Sequence, residues 1–341
     1  MLNRIYRLAA PRVFEPVVVD QPLGPDSVVV RPTYLSICNA DQRYYQGRRS
    51  SEVLARKLPM ALIHEGVGAV VHDGSGALAA GQRVVMVPNA PREHDACRAE
   101  NYLETSCFSG SGSDGFMQEY VVLPPERLVV LPDGVEDPVA AFTELVSVAM
   151  HAITRFDSLA HDDRSTLGIW GDGNLGFIVS LLLRLRYPDA AIVVFGRNRY
   201  KLADFTFADK TLLTCEADRT LRVDHAFECC GGDGSASAID QMIGAVRPEG
   251  TLSLLGVSEN PVPIDTRSVL EKGLRLFGSS RSGLEDFRAV AELYRSHPEA
   301  LRYLGGLVGS VVVADSIASM NRAFEADLRK PMGKTIMEWL A

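Results

Sequence analysis

The stretch LPMALIHEGVGAVV, residues 58–71, sets His64 and Glu65 side by side inside an apolar run. Two ionisable groups in such a segment are costly to bury unless something pairs with them. A second stretch, GIWGDGNLGF at 168–177, spaces Gly171, Gly173 and Gly176 as G-x-G-x-x-G. In that pattern the first glycine permits a tight turn, the second lets a pyrophosphate approach the backbone, and the third lets a helix pack closely on a sheet. Asn174 and Leu175 then fall at a helix N-terminus, where free N–H groups and the positive dipole end favour phosphate. The chemistry suggested is dinucleotide binding.

The next predicted strand sharpens that reading. It ends VVFGRNRYK, so Gly196 and Arg197 stand where a carboxylate ordinarily accepts from the adenine ribose 2′-hydroxyl. A missing anion with Arg197, Arg199 and Lys201 close by suits the 2′-phosphate of NADPH; the plainer alternative is solvated charge on the following helix. Cys38, in SICNADQRYY, follows a predicted strand. With His64, Glu65 and Glu144 it offers a thiolate, an imidazole and carboxylates, a mixture zinc accepts. Asp41 is a candidate acceptor for a ligand histidine. Spacing alone does not select these four residues. Arg43, Tyr45 and Arg49 follow Cys38 closely enough to reach a bound substrate, and a planar guanidinium suits phosphate. His151, at helical distance from Glu144, is read as structural, and Cys229 and Cys230 as lining a cofactor floor.

These residues need two kinds of scaffold. The first ~145 residues carry frequent short β-like runs between Gly, Pro and Asp, which predicts a barrel-like, mostly antiparallel domain. From about residue 150 strands alternate with helical patterns, which predicts a doubly wound parallel sheet. The expected division is 1–147, 148–284 and a C-terminal return over 285–341. A chain of 341 residues with 46% hydrophobic and 23% charged residues is ordinary for a globular protein. A net charge of −8 argues against a nucleic-acid or anionic-membrane surface. No run reaches the ~18–20 apolar residues that span a bilayer, and no leader is expected at the N-terminus. Six scattered cysteines suit a reduced, cytoplasmic setting.

The order Cys-x-x-Asp, His-Glu-Gly-x-Gly and a Glu ahead of the glycine-rich turn resembles the zinc-dependent medium-chain dehydrogenase/reductase superfamily. Within it, ADQRYYQGR, LIHEGVG, AENYLETS, DGFMQEYV, DHAFECCGG and LEKGLRLFGSSRSG are similar to the ribulose-5-phosphate reductases that make ribitol 5-phosphate for CDP-ribitol, teichoic acids and some capsules. The resemblance implies a GroES-like catalytic domain beside a Rossmann domain. It implies Cys38, His64, Glu65 and Glu144 as the zinc and catalytic residues, with Glu65 or Glu144 assisting proton delivery. It also implies NADPH as cofactor, a sugar phosphate as substrate, a homodimer, and association with a cytidylyltransferase making CDP-ribitol. A zinc polyol or alcohol dehydrogenase acting on an unphosphorylated substrate is the alternative, and a nucleotide-binding regulatory protein on the same fold is a third. Two departures matter. Relatives with a second, structural zinc carry four clustered cysteines, whereas residues 88–108 hold only Cys97 and Cys107, so one zinc per chain is expected. Ala40 stands where many alcohol dehydrogenases begin a hydroxyl relay, which excludes a relay from that position.

Overall fold

The computed structural model describes residues 1–218 and 220–341. The described chain forms two compact units, one of residues 1–147 with 282–341 and the other of 148–281. The sequence-based division placed the second boundary at 284/285; the compact units part at 281/282.

The first unit is mostly antiparallel, as its short alternating runs imply. Its main sheet runs Leu128–Val130, Arg83–Met86, Glu65–Asp73, Val28–Ser36, Lys334–Trp339, Val308–Ala314, with Val121–Leu123 also pairing to Val28–Ser36. The one parallel pair, Val308–Ala314 with Lys334–Trp339, is joined through the helix Ile317–Arg329, since a parallel connection needs a crossover. Leu35, Val84, Met86 and Met337 are fully buried and belong to one apolar cluster, so the sheet's inner face is a continuous apolar layer. The stretch FRAVAELYRSHPEALRYL, helical in its apolar spacing, forms two helices, Leu284–Ser296 and Pro298–Gly305. Pro298 has no N–H to continue the first helix, yet fits the first turn of the second.

The second unit is a parallel sheet in the order Lys210–Leu213, Ala191–Gly196, Thr166–Trp170, His225–Glu228, Thr251–Leu254, Arg275–Gly278. That is the doubly wound α/β order expected from the alternating elements. Ile169, Ile192, Val194 and Leu252 are fully buried, as strands covered on both faces require.

Candidate active site

Cys38 leaves the end of the Val28–Ser36 strand and caps the helix Asn39–Tyr45. Asp41 on that helix is buried and binds two backbones at once: Cys38 N donates to Oδ2 at 3.0 Å and Ile63 N to Oδ1 at 3.0 Å. One carboxylate thus ties the Cys38 segment to the residue before His64. Ile63 holds φ 71°, a conformation unfavourable for a β-branched side chain and typical of backbone fixed at functional sites. His64 and Glu65 follow at the start of the Glu65–Asp73 strand.

The ligating atoms of Cys38, His64 and Glu65 lie within 4.8 Å of one another, and among the described residues no other trio of His, Cys, Asp or Glu does so. His64 Nδ1 is buried without a hydrogen-bond partner among the described residues; Asp41 Oδ1 stands 3.7 Å away, beyond hydrogen-bond reach. A buried nitrogen left unsatisfied beside a thiol and a carboxylate fits a metal ligand set. Glu144, at the first turn of Thr143–Leu159, is buried nearby but outside that trio. The expected four are therefore three in mutual contact distance and one that acts on them through its charge.

The charges are interlocked. Burial pushes the Cys38 thiol up, and Glu65 adds to this. Burial alone favours a neutral His64, yet Asp41, Cys38 and Glu144 outweigh it and lift the ring well above its ordinary value. Glu65 would be raised by burial, but Lys334 and then His64 hold it below the usual carboxylate range. Glu144 is pushed up to about 7, first by burial and then by Glu65.

Lys334 is the residue of this charged group that sequence reasoning missed. It is buried at the start of the Lys334–Trp339 strand, and its Nζ lies 2.9 Å from Glu65 Oε1 and 2.8 Å from Oε2. The Val28–Ser36 strand lies between the strands of these two residues, with Ser36 opposite both Ile336 and Glu65. In sequence, a lysine beginning an apolar strand reads as solvent-facing, so only the pairing register reveals it.

The substrate candidates divide. Tyr45 does not face a substrate: it is 1% exposed, stacks on Phe324 at 4.6 Å, and donates to Asn321 Oδ1 at 2.9 Å. Glu325 Oε1 lies 3.0 Å from the same hydroxyl, whose one proton the two acceptors share; burial first, then Glu325, push the phenol up to about 12. Helical spacing turned it into the core, whereas the guanidinium of Arg49 lies 5.2 Å over the Tyr44 ring. Arg43 is half-buried on the same helix.

In the second unit the glycine-rich turn has the predicted geometry. Gly171 has φ 143°, and a Cβ on Gly176 would lie 2.1 Å from Gly171 O. Around Gly173 a Cβ would meet nothing within 4 Å, so that backbone is open to a ligand. The helix Asn174–Arg186 begins there, Leu175 in its first turn, with no side-chain cap, a ready anion site. Glu228 floors this region: it accepts from Cys230 N and Gly231 N at 3.0 Å and from Gly256 N at 2.7 Å. Cys229 and Cys230 are free thiols. Of the cations after Gly196, Arg199 is engaged by Glu216 at 2.6 Å. Arg197 has no ion-pair partner among the described residues, and Lys201 Nζ lies 6.0 Å from the Tyr200 ring.

The Alcohol dehydrogenase GroES-like domain family matches residues 24–133, and the Zinc-binding dehydrogenase family matches residues 186–296. The chain is 53% identical to the ribulose-5-phosphate reductase of Bacillus spizizenii over 99% of each sequence. The chain belongs to the zinc-dependent medium-chain dehydrogenases. This dehydrogenase is also 51% identical to ribulose-5-phosphate reductase 1 of Staphylococcus aureus, over 100% of each chain. It superposes on S. aureus TarJ in complex with NADPH with a TM-score of 0.90 at 47% identity, covering 100% of both. The GroES-like and Rossmann architecture expected of the family is the one observed.

Proposed function

We propose that this dehydrogenase reduces D-ribulose 5-phosphate to D-ribitol 5-phosphate with NADPH. The observation that carries this is full-length identity of 49–53% to three ribulose-5-phosphate reductases. NADPH supplies the hydride, and a bound zinc supplies a Lewis acid that polarises the ketone. Cys38, His64 and Glu65 are the residues that would hold the metal, with Glu144 the remaining carboxylate of the set. Asp41 fixes the backbones of Cys38 and Ile63 and so sets where the thiol and imidazole point. Lys334 keeps Glu65 ionised. Ala40 offers no hydroxyl for a relay, which leaves the carboxyls Glu65 and Glu144 to assist proton delivery. The backbone of Gly171–Gly176 takes the pyrophosphate, and Arg197 and Lys201, beside Gly196, take the 2′-phosphate.

We assign the substrate phosphate to Arg43 and Arg49. Each charge-assisted bond to phosphate contributes about 1.5–3 kcal/mol, so ribulose should react with a kcat/KM about 100-fold or more below its 5-phosphate. Binding energy from a remote phosphate also orients the carbonyl, so kcat should fall with affinity. Comparable kcat/KM for the two sugars would replace this reading with a polyol dehydrogenase. Use of the product for CDP-ribitol, a cytoplasmic setting, a homodimer and association with a cytidylyltransferase belong to the same proposal; the six free cysteines support the setting. Among described residues no helix is long and apolar enough to cross a membrane.

A further inference from the structure

Asp172, the residue between the first two glycines of the turn, is the unexpected member of the dinucleotide region. Its Oδ2 accepts from Arg197 N at 2.6 Å, from Asn198 N at 2.8 Å and from Asn198 Nδ2 at 3.1 Å. The carboxylate therefore lies at the end of the Ala191–Gly196 strand, where dinucleotide sheets usually place an acid grown from that strand itself. It is turned onto the backbone of its own chain instead. Gly196 makes this possible: a Cβ there would sit 2.6 Å from Asp172 Cβ and 2.9 Å from its Oδ2, with Leu202 Cδ2, the movable end of a side chain, at 2.8 Å. Real Cβ atoms do not approach that closely, so a side chain on residue 196 and one on residue 172 exclude each other.

We infer that Asp172 and Gly196 form one cofactor-specificity element, in which Asp172 blocks any acid at 196 and holds the loop that presents Arg197. The inference rests on the NADPH reading above. Three hydrogen bonds to one carboxylate oxygen fix residues 197 and 198, and with them the origin of the Arg197 side chain. Asp172 is a positioning residue: it acts through the loop, and its carboxylate is engaged by two backbone donors and the Asn198 amide.

The decisive experiment measures NADPH and NADH dissociation constants by fluorescence titration for four proteins: the unaltered chain, Gly196→Asp, Asp172→Gly and the double variant. Glycine rather than alanine is needed at 172, because the closest approach is to the Cβ that alanine keeps. Gly196→Asp alone should weaken both cofactors about tenfold or more, since the new Cβ displaces the turn. In the Asp172→Gly background the same substitution should recover NADH at least tenfold while NADPH stays weak, the new carboxylate now facing the ribose. A gain of NADH affinity by Gly196→Asp with Asp172 intact, or a double variant no better than the single, overturns the pairing.

Asp172→Gly alone should reduce the NADPH-to-NADH preference about tenfold, and Asp172→Asn, whose amide oxygen still accepts, should keep it within about threefold. Equal preference in Asp172→Gly and the unaltered protein overturns the positioning role. If Gly196→Asp does not fold, Gly196→Ala carries the clashing Cβ alone. It should weaken NADPH about tenfold more when Asp172 is present than in the Asp172→Gly background, where only the end of the Leu202 side chain must give way; an equal effect in both backgrounds overturns the exclusion. Should the unaltered chain prefer NADH, the cofactor reading fails, while the mutual exclusion of the two side chains is still read from the NADH constants.

Discussion

The candidate metal site draws its buried charges from four separate places in the chain, with Glu144 and Lys334 acting on Cys38, His64 and Glu65. The dinucleotide turn is one contiguous run, Gly171–Gly176, and works mainly through backbone. The first is a set of buried charges, each of which sets the protonation of the others. The second is a shape, defined by where a Cβ would not fit. A charge set fails when one member loses its partner, because the remaining charge stays buried. A shape tolerates changes of charge but not of volume. Chemical and steric substitutions should therefore have opposite effects in the two regions.

The largest effects should separate the regions cleanly. Cys38→Ser should remove zinc and activity together, by about 1000-fold or more in rate if the Lewis acid contributes several kcal/mol, and leave NADPH binding intact. Gly176→Ala, whose Cβ would lie 2.1 Å from Gly171 O, should do the reverse: zinc kept, NADPH weakened about tenfold or more. Metal analysis and cofactor titration of the two proteins decide it. Activity surviving in metal-depleted Cys38→Ser would end the zinc mechanism.

Next in size is the Glu65–Lys334 pair. In zinc-stripped protein, Lys334→Met leaves the Glu65 charge buried and unpaired, which should cost about 3–5 kcal/mol of folding stability. Adding Glu65→Gln should return most of that loss in urea unfolding. Additive losses would show that the pair is not coupled and that the charge-set description of this region is wrong.

The same contrast explains what the sequence made legible. The glycine turn could be read because its members are adjacent and each has a local steric reason, and the Thr166–Trp170 strand and Asn174–Arg186 helix around it follow from hydrophobic period. The metal group could not be read from spacing, since 25 residues lie between Cys38 and His64 and strand register, not sequence, brings them together. Resemblance supplied those residues, but it did not supply Lys334, which a long-range strand pairing delivers. Tyr45 misled because a phenol in a polar stretch looks available until the helix phase turns it onto Phe324. Asp172 was hidden by its neighbours, as the glycines drew the interpretation.

A smaller effect tests the cation that completes the dinucleotide region. Arg197→Ala should weaken NADPH by about 10- to 150-fold, the equivalent of one charge-assisted hydrogen bond at about 1.5–3 kcal/mol, and NADH far less. Equal losses for both cofactors would make Arg197 structural and return the 2′-phosphate to Lys201.

The last test comes from two buried histidines that the two units treat oppositely. His64 is lifted by anions, whereas His225 is lowered to about 4, first by burial and then by His161, whose ring centroid is 4.3 Å away. Asp163 O accepts from His225 Nε2 at 3.0 Å, and His225 Nδ1 accepts from Thr251 N at 3.1 Å. Both nitrogens are thus used by the neutral ring, and a second proton would strand the Thr251 N–H. The unfolded chain takes up a proton near 6.5 and the folded chain only near 4. Stability from this group is therefore complete above pH 6.5 and declines as pH falls from 6.5 towards 4. The decline approaches about 1.4 kcal/mol per pH unit for one proton. Urea unfolding between about pH 4.5 and 7 should show that slope, and His225→Gln, whose amide oxygen can accept from Thr251 N, should flatten it by about one proton. An unchanged slope would mean that the folded protein binds the proton as readily as the unfolded chain.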